Sequence, residues 1–255
     1  MTYTAIFQRV EKKYLLTQAQ LERILPALCE FLTPDGYGET TVCSLYLDTP
    51  DDLLARRSIE KPAYKEKLRL RSYGTPGDES AAYLEIKKKT GGIVYKRRIA
   101  CRMANAMAYL DGGAPPCGPC QIFQEIDYMR LRYGLSPRLC LCYDRTAYLE
   151  REPTPDALRV TIDRHIRVRE SGLDLRLGDA GDPLLPESAR LMEIKTARAL
   201  PIWLCDVLAR HRVYPAPFSK YGRAYQARTR RMAARETVAV PYFVQGGAFH
   251  AYNPD

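Results

Sequence analysis

Lys65-Glu66-Lys67-Leu68-Arg69-Leu70-Arg71 is the stretch on which the reading of the fold turns. Side chains of a β-strand alternate between two faces, so Lys65, Lys67, Arg69 and Arg71 share one face and Leu68 and Leu70 the other. Neighbouring like charges repel, and a row of cations this dense needs something negative to offset it.

The same alternation recurs along the chain. Arg9, Glu11 and Lys13 share a face. Glu85, Lys87 and Lys89 lie opposite Leu84 and Ile86, and Lys96 and Arg98 lie opposite Tyr95 and Ile99, with Arg97 breaking the pattern. Tyr143 and Arg145 share a face; Arg159, Thr161 and Asp163 alternate with Leu158, Val160 and Ile162; Glu193 and Lys195 alternate with Met192 and Ile194. A solvated sheet face accounts for any one of these strands. Repetition with a net cationic face points instead to a shared polar interior, costly when dry but tolerable when wet and filled with phosphate. Arg grips phosphate oxygens in pairs, and Lys supplies mobile point charges. Glu11, Glu85 and Glu193 suit orienting those cations or holding a divalent ion, which prefers oxygen ligands.

Composition agrees. The 255 residues carry a net charge of +9, with 46% hydrophobic and 27% charged residues, as in a soluble globular protein with an acidic partner. The charge is spread along the chain, which favours a site made by the fold over a basic arm. No apolar run approaches the ~20 residues that span a bilayer. Met1–Phe7 lacks the basic-then-apolar layout of a signal peptide, so a cytoplasmic location is the expectation. Of the 8 cysteines, Cys29, Cys43, Cys140, Cys142 and Cys205 sit in apolar segments, as reduced thiols do.

Periodicity predicts strands at 5–15, 41–48, 63–73, 81–89, 93–101, 138–149, 157–169 and 191–195. It predicts helices at 17–31, 102–111, 119–133, 201–212 and 219–233. Thr17 is an expected N-cap, Pro26 an expected kink or split, and Thr49-Pro50-Asp51-Asp52 an expected helix start. Residues 170–189 read as a loop or small hairpin. No linker divides the chain, so one domain over 1–233 with a tail at 234–255 is expected. Strand following strand with inserted helices argues α+β with an antiparallel sheet or barrel.

These pieces carry a family resemblance. Phe7-x-Arg9-x-Glu11-x-Lys13-Tyr14, Ser44-Leu-Tyr46-Leu-Asp48-Thr49, Lys67-Leu-Arg69-Leu-Arg71-x-Tyr73-Gly74 and Leu84-Glu85-Ile-Lys87 are followed in order by four more. Those are Tyr143-Asp-Arg145-Thr146-Ala147-Tyr148, Arg159-Val-Thr161-Ile-Asp163, Met192-Glu193-Ile-Lys195 and Phe218-Ser219-Lys220-Tyr221. The chain resembles the VTC domain, the polyphosphate polymerase domain of vacuolar transporter chaperones, within the triphosphate tunnel (CYTH-like) superfamily. The resemblance implies an antiparallel eight-stranded β-barrel, a triphosphate tunnel with helices packed outside. It implies that Arg69, Arg71, Lys87, Lys96, Arg145 and Arg159 hold phosphates, with Tyr143 and Lys195 beside them. Lys13 matches a tunnel lysine and Lys220 a helix lysine at the tunnel mouth; Arg9, Lys67, Arg98 and Ser219 complete the substrate contacts. Glu193, with Glu11, is implied to bind Mn²⁺ or Mg²⁺. The superfamily opens with Glu-x-Glu-x-Lys, whereas Arg9 stands first here, which favours phosphoryl transfer over simple hydrolysis.

The activity implied is an ATP-dependent polyphosphate polymerase. The alternatives are an inorganic or nucleoside triphosphatase, and a polyphosphate- or phosphoinositide-binding module without turnover. Nucleic acid is not an expected partner, because most strand tyrosines lie amid apolar residues. A membrane partner protein fits the vacuolar relatives, whose larger assemblies this chain does not match with any extra segment. Cys117-Gly118-Pro119-Cys120 lacks the parallel context of a redox motif. The 3 histidines, His165, His211 and His250, are scattered, and Trp203 reads as packing. The arginines of 223–231 read as a solvated face or a basic rim.

Overall fold

A computed structural model describes residues 10–60, 62–91, 93–152, 157–197 and 199–238. The elements run in the order β1 (Val10–Thr17), α1 (Gln18–Phe31), β2 (Leu32–Pro34), β3 (Thr40–Asp48), α2 (Leu53–Glu60), β4 (Tyr64–Tyr73), β5 (Ala81–Thr90) and β6 (Ile93–Arg102). They continue with α3 (Met103–Leu110), α4 (Gln121–Tyr133), β7 (Ser136–Glu150), β8 (Arg159–Arg169), β9 (Asp182–Pro183), β10 (Ala189–Thr196), α5 (Ile202–Arg210) and α6 (Lys220–Val238).

The strands form one antiparallel sheet in the order β1-β10-β8-β7-β3-β4-β5-β6, with β2 and β9 added at its side. The eight-strand path is the one expected. Its ends, β1 and β6, are not hydrogen-bonded to each other among the described residues, so the barrel is open along one seam. Register shifts at Cys142/Asp144 and Tyr46/Leu47 mark bulges, which bend and twist strands.

Apolar positions alternate to the outside, as the pattern predicts. Leu45, Leu68, Leu70, Leu84 and Ile86 pack under α3 and α4 through Met103, Ile126 and Met129. Tyr14, Leu16, Val160, Met192 and Ile194 pack under α1 and α5 through Ile24, Leu28, Leu204 and Leu208. The concave side differs from the expectation of a wholly polar bore with every helix outside. There Val42, Leu139, Leu141, Ile166 and Val168 meet Phe218, Tyr221 and Ala224 around α6. One part of the interior is an apolar seat for this helix, and the charged residues occupy the rest.

Local signals hold with three corrections. Thr17 and Gln20 form a reciprocal capping box at α1. The helix runs on through Pro26, which lies on its exposed side, where a lost backbone donor costs least. Helix α2 starts at Leu53 rather than at Pro50. Its free N–H groups at Leu54 and Ala55 are taken by the two oxygens of Asp48, and that of Leu53 by the Thr49 hydroxyl. The 170–189 segment holds a single 3₁₀ turn and β9. Helix α6 continues past residue 233, where the tail was expected to begin. No helix among the described residues is long and apolar enough to cross a membrane.

Candidate active site

Alternation on β4, β5 and β6 delivers the first cluster. Glu85 is buried and takes Arg69 at 2.6–2.8 Å, Lys96 at 2.8 Å and Arg71 at 3.8 Å. Burial alone would raise its pKa, but these cations outweigh burial and hold it at about 2. Among the described residues its Oε1 has no well-directed hydrogen bond, even with the Lys96 ammonium 2.8 Å away. Arg71 also donates to Ser44 Oγ at 3.2 Å and to the Tyr143 hydroxyl at 3.4 Å. Arg69 donates to the Tyr46 hydroxyl at 3.0 Å.

The second cluster comes from β1, β7, β8, β10 and the first residue of α6. Glu193 has Lys220 at 3.1 Å, Lys13 and Arg145 at 3.6 Å and Lys195 at 3.7 Å. Buried Asp163 accepts two bonds from Arg145, at 2.6 and 2.8 Å, and pairs with Lys220 at 2.5 Å. Burial opposes ionisation of Glu193, yet Lys220, Lys13, Arg145 and Lys195 hold its pKa well below the usual range. Burial likewise opposes charge on Lys220, and Asp163 and Glu193 reverse it. The Tyr143 ring lies under both Lys220 (4.5 Å) and Arg145 (5.0 Å).

The two clusters face one interior. Burial would raise the Glu11 carboxyl, but Lys13 and, from β5, Lys87 lower it, and Lys87 adds to the burial that lowers Lys67 and Lys195. Lys67 donates to Ser219 at 3.2 Å, and Lys13 to the Phe218 carbonyl at 3.1 Å, so the start of α6 is held from both walls. Burial drives Lys67 down to about 8, and Lys87, Lys13 and Arg69 push the same way. Tyr46 would be raised by burial, but Arg69, Lys67 and Arg71 bring its phenol down to about 7.

A family model for the VTC domain matches residues 8–228. The chain belongs to the VTC domain family. Among solved structures, a Bacillus halodurans protein described as a "putative adenylate cyclase" shares 14% identity at a TM-score of 0.51, covering 83% of this chain and 93% of that one. "Putative adenylyl cyclase HpAC1" from Hippeastrum, whose structure is described as revealing a dominant triphosphatase activity, shares 14% identity at a TM-score of 0.46, covering 84% and 93%. At this identity the Bacillus likeness concerns fold alone. No curated protein matches the chain.

Most of the residues expected in this VTC domain's site converge: Lys13, Lys67, Arg69, Arg71, Lys87, Lys96, Tyr143, Arg145, Lys195, Ser219, Lys220, Glu11 and Glu193. Arg159 stands at the exposed rim, 3.3 Å from Asp35, beside Lys195 in the ladder rather than inside either cluster. Arg98 lies over the Tyr83 ring at 4.7 Å. Arg9 lies outside the described residues. Sequence alternation puts Asp163 on the inward face without a role and Glu85 there as an acid that orients cations or holds a divalent ion. It gives Ser44, Tyr46 and Thr161 no role. Ser44 and Tyr46 alternate with the apolar Cys43 and Leu45, the only signal that places them inside.

The residues fit a hard cation at one place. The Lys13 ammonium sits between Glu11 (3.2 Å) and Glu193 (3.6 Å), which marks a position that attracts positive charge. Thr161, paired with Glu193 in the ladder, has a buried hydroxyl without a hydrogen-bond partner among the described residues. No group of three acids, histidines or cysteines clusters tightly enough to hold an ion unaided among the described residues.

Proposed function

We propose that this VTC domain binds a triphosphate or polyphosphate between the Glu85 and Glu193 clusters and transfers a phosphoryl group as an ATP-dependent polyphosphate polymerase. The supporting observation is the convergence of Lys13, Lys67, Arg69, Arg71, Lys87, Arg145, Lys195 and Lys220, from opposite walls, on few carboxylates. Family membership supports chemistry on triphosphate or polyphosphate.

In this reading Arg69 and Arg71 clamp phosphate oxygens while Glu85 fixes their forks. Lys220 and Arg145, held by Asp163 and Glu193, face the same phosphates from the other side. Charge developing on the transferred group meets fixed cations that need no reorganisation. The terminal oxygen of a phosphate chain attacks the γ-phosphorus in line, the bond to the β-γ bridging oxygen breaks, and ADP leaves. No protein nucleophile takes part. Glu193 and Glu11, with Thr161 beside them, would hold Mn²⁺ or Mg²⁺, whose chemistry when bound is charge neutralisation on phosphoryl oxygens. A cytoplasmic setting suits ATP as donor and the free thiols of the chain.

The test is the product distribution from ATP with Mn²⁺ or Mg²⁺. Polyphosphate chains with ADP are expected, and Arg69→Ala and Glu193→Ala should abolish them. ADP with orthophosphate alone identifies a triphosphatase. Binding without products identifies a module. Turnover unaffected by both substitutions removes the site.

A further inference from the structure

The row of phosphate-facing cations does not end the concave face of β4–β6. Tyr83 stands opposite Arg71 in the β4–β5 ladder, and Tyr73 follows Arg71 on the same face of β4. The two rings meet edge to face, 5.9 Å apart with planes at 71°. Tyr73 keeps 51% of its surface exposed, and Tyr83 is half-buried. Neither belongs to an apolar core cluster.

Arg98 completes the group. It is the ladder neighbour of Glu85, whose oxygens are already occupied by Arg69, Arg71 and Lys96. Its guanidinium lies instead over the Tyr83 ring, 4.7 Å from the centroid. A stacked guanidinium beside two half-wet aromatic rings presents flat π surface and positive charge together. Tyr83 precedes Glu85 by one strand repeat, about 6–7 Å along β5. A ligand whose phosphates lie on Arg69, Arg71 and Lys96 would therefore carry its remaining part over these rings.

We infer that Tyr73, Tyr83 and Arg98 form a base-stacking subsite that makes a purine nucleoside triphosphate, rather than inorganic triphosphate, the preferred occupant of the tunnel. The inference rests on the phosphate-binding reading given under the proposed function. The base stacks on Tyr83 or Tyr73 through its π face, which needs no hydrogen-bond readout and favours the larger ring system of a purine. Arg98 is placed for the ribose and the α-phosphate, between the rings and the Glu85 cluster. Inorganic triphosphate has nothing to offer the rings and gains only the cations.

Calorimetric titration of the full chain with ATP and with inorganic triphosphate, at one salt concentration, tests this. Tyr83→Leu keeps an apolar side chain and removes the stacking face; Tyr73→Leu changes an exposed ring and guards against a folding defect. ATP binding should weaken about tenfold in Tyr83→Leu, the scale of one lost base–aromatic stack. Binding of inorganic triphosphate should stay unchanged. Equal weakening of both ligands would make Tyr83 a structural residue, and unchanged ATP binding in both variants would remove the subsite. Both results leave the phosphate site standing. A wild-type chain that binds neither ligand overturns the phosphate site itself and this inference with it.

Discussion

Glu85 is a buried carboxylate that three cations share, so its replacement tests whether the cluster is a structural knot or a charged site waiting for anions. In Glu85→Gln the size is kept and the charge lost, leaving Arg69, Arg71 and Lys96 facing one another. Removing one partner from a buried pair costs about 3–5 kcal/mol. Lys96 is 44% exposed, so a loss of about 2–3 kcal/mol is expected after solvent screening. Urea unfolding should show it, and added triphosphate should recover part of the loss by supplying negative charge. A loss that triphosphate leaves untouched would place the anion elsewhere. Tyr46 and Lys67 give the pH dependence. Above about 7 Tyr46 becomes a phenolate, and above about 8 Lys67 loses its charge, so both steps make the interior less positive. Triphosphate affinity should fall across these values, and Tyr46→Phe should delete the lower step in a binding titration. Stability moves the opposite way. Both groups bind fewer protons folded than unfolded, so stability rises with pH from about 7 towards the unfolded values near 10. It is fully present above those unfolded values and is lost as pH falls through the folded ones.

At the scale of elements, α6 decides whether the second cluster exists. Its first residue brings Lys220 to Asp163 and Glu193, and its second, Tyr221, donates to Asp48 at 2.5 Å and stacks on Tyr46 at 4.3 Å. Asp48 also accepts from the α2 backbone at Leu54 and Ala55, so one buried carboxylate ties β3, α2 and α6 together. Asp48→Ala should cost more than about 3 kcal/mol, since it removes a helix cap and orphans a buried hydroxyl. Hydrogen exchange should quicken in α2 and the start of α6 while α4 stays protected. Uniform quickening would mean that α6 is not a separate unit. The sequence made the strands legible because period-two alternation survives even where the buried face is charged. It revealed the Glu193 and Arg69 positions through that same period. Alternation says which face a side chain takes, but not what packs on that face. The seat of α6 on Val42, Leu141 and Ile166 was therefore invisible, and so was the start of α2, whose cap comes from Asp48 upstream. Arg98 and Arg159 share the inward parity but lie on the edge strand and at the rim, where long side chains turn to Tyr83 and Asp35.

For the molecule as a whole, the sheet is open along one seam, and cations line the interior it encloses. No strand pairing joins β1 to β6 among the described residues, and Lys13 on β1 and Lys96 on β6 stand on either side of that gap. Cations on both sides of an unpaired seam push it apart when the interior is empty. A polyanion lying between them pulls the walls together, so the ligand does the work that a closing strand pair would do. At about 100 times its Kd, a ligand that binds only the folded state adds about 2.7 kcal/mol. For a chain of this size that raises Tm by roughly 5–10 °C. Inorganic triphosphate should produce such a shift, and Arg69→Ala should reduce it. Sodium chloride at the same ionic strength should not, because screening weakens repulsion between exposed charges without bridging buried ones. Equal shifts from chloride and triphosphate would mean that net charge alone, +9 over the chain, governs stability. A shift specific to triphosphate, lost as salt competes for the cations, would show the seam held by anions that reach both walls.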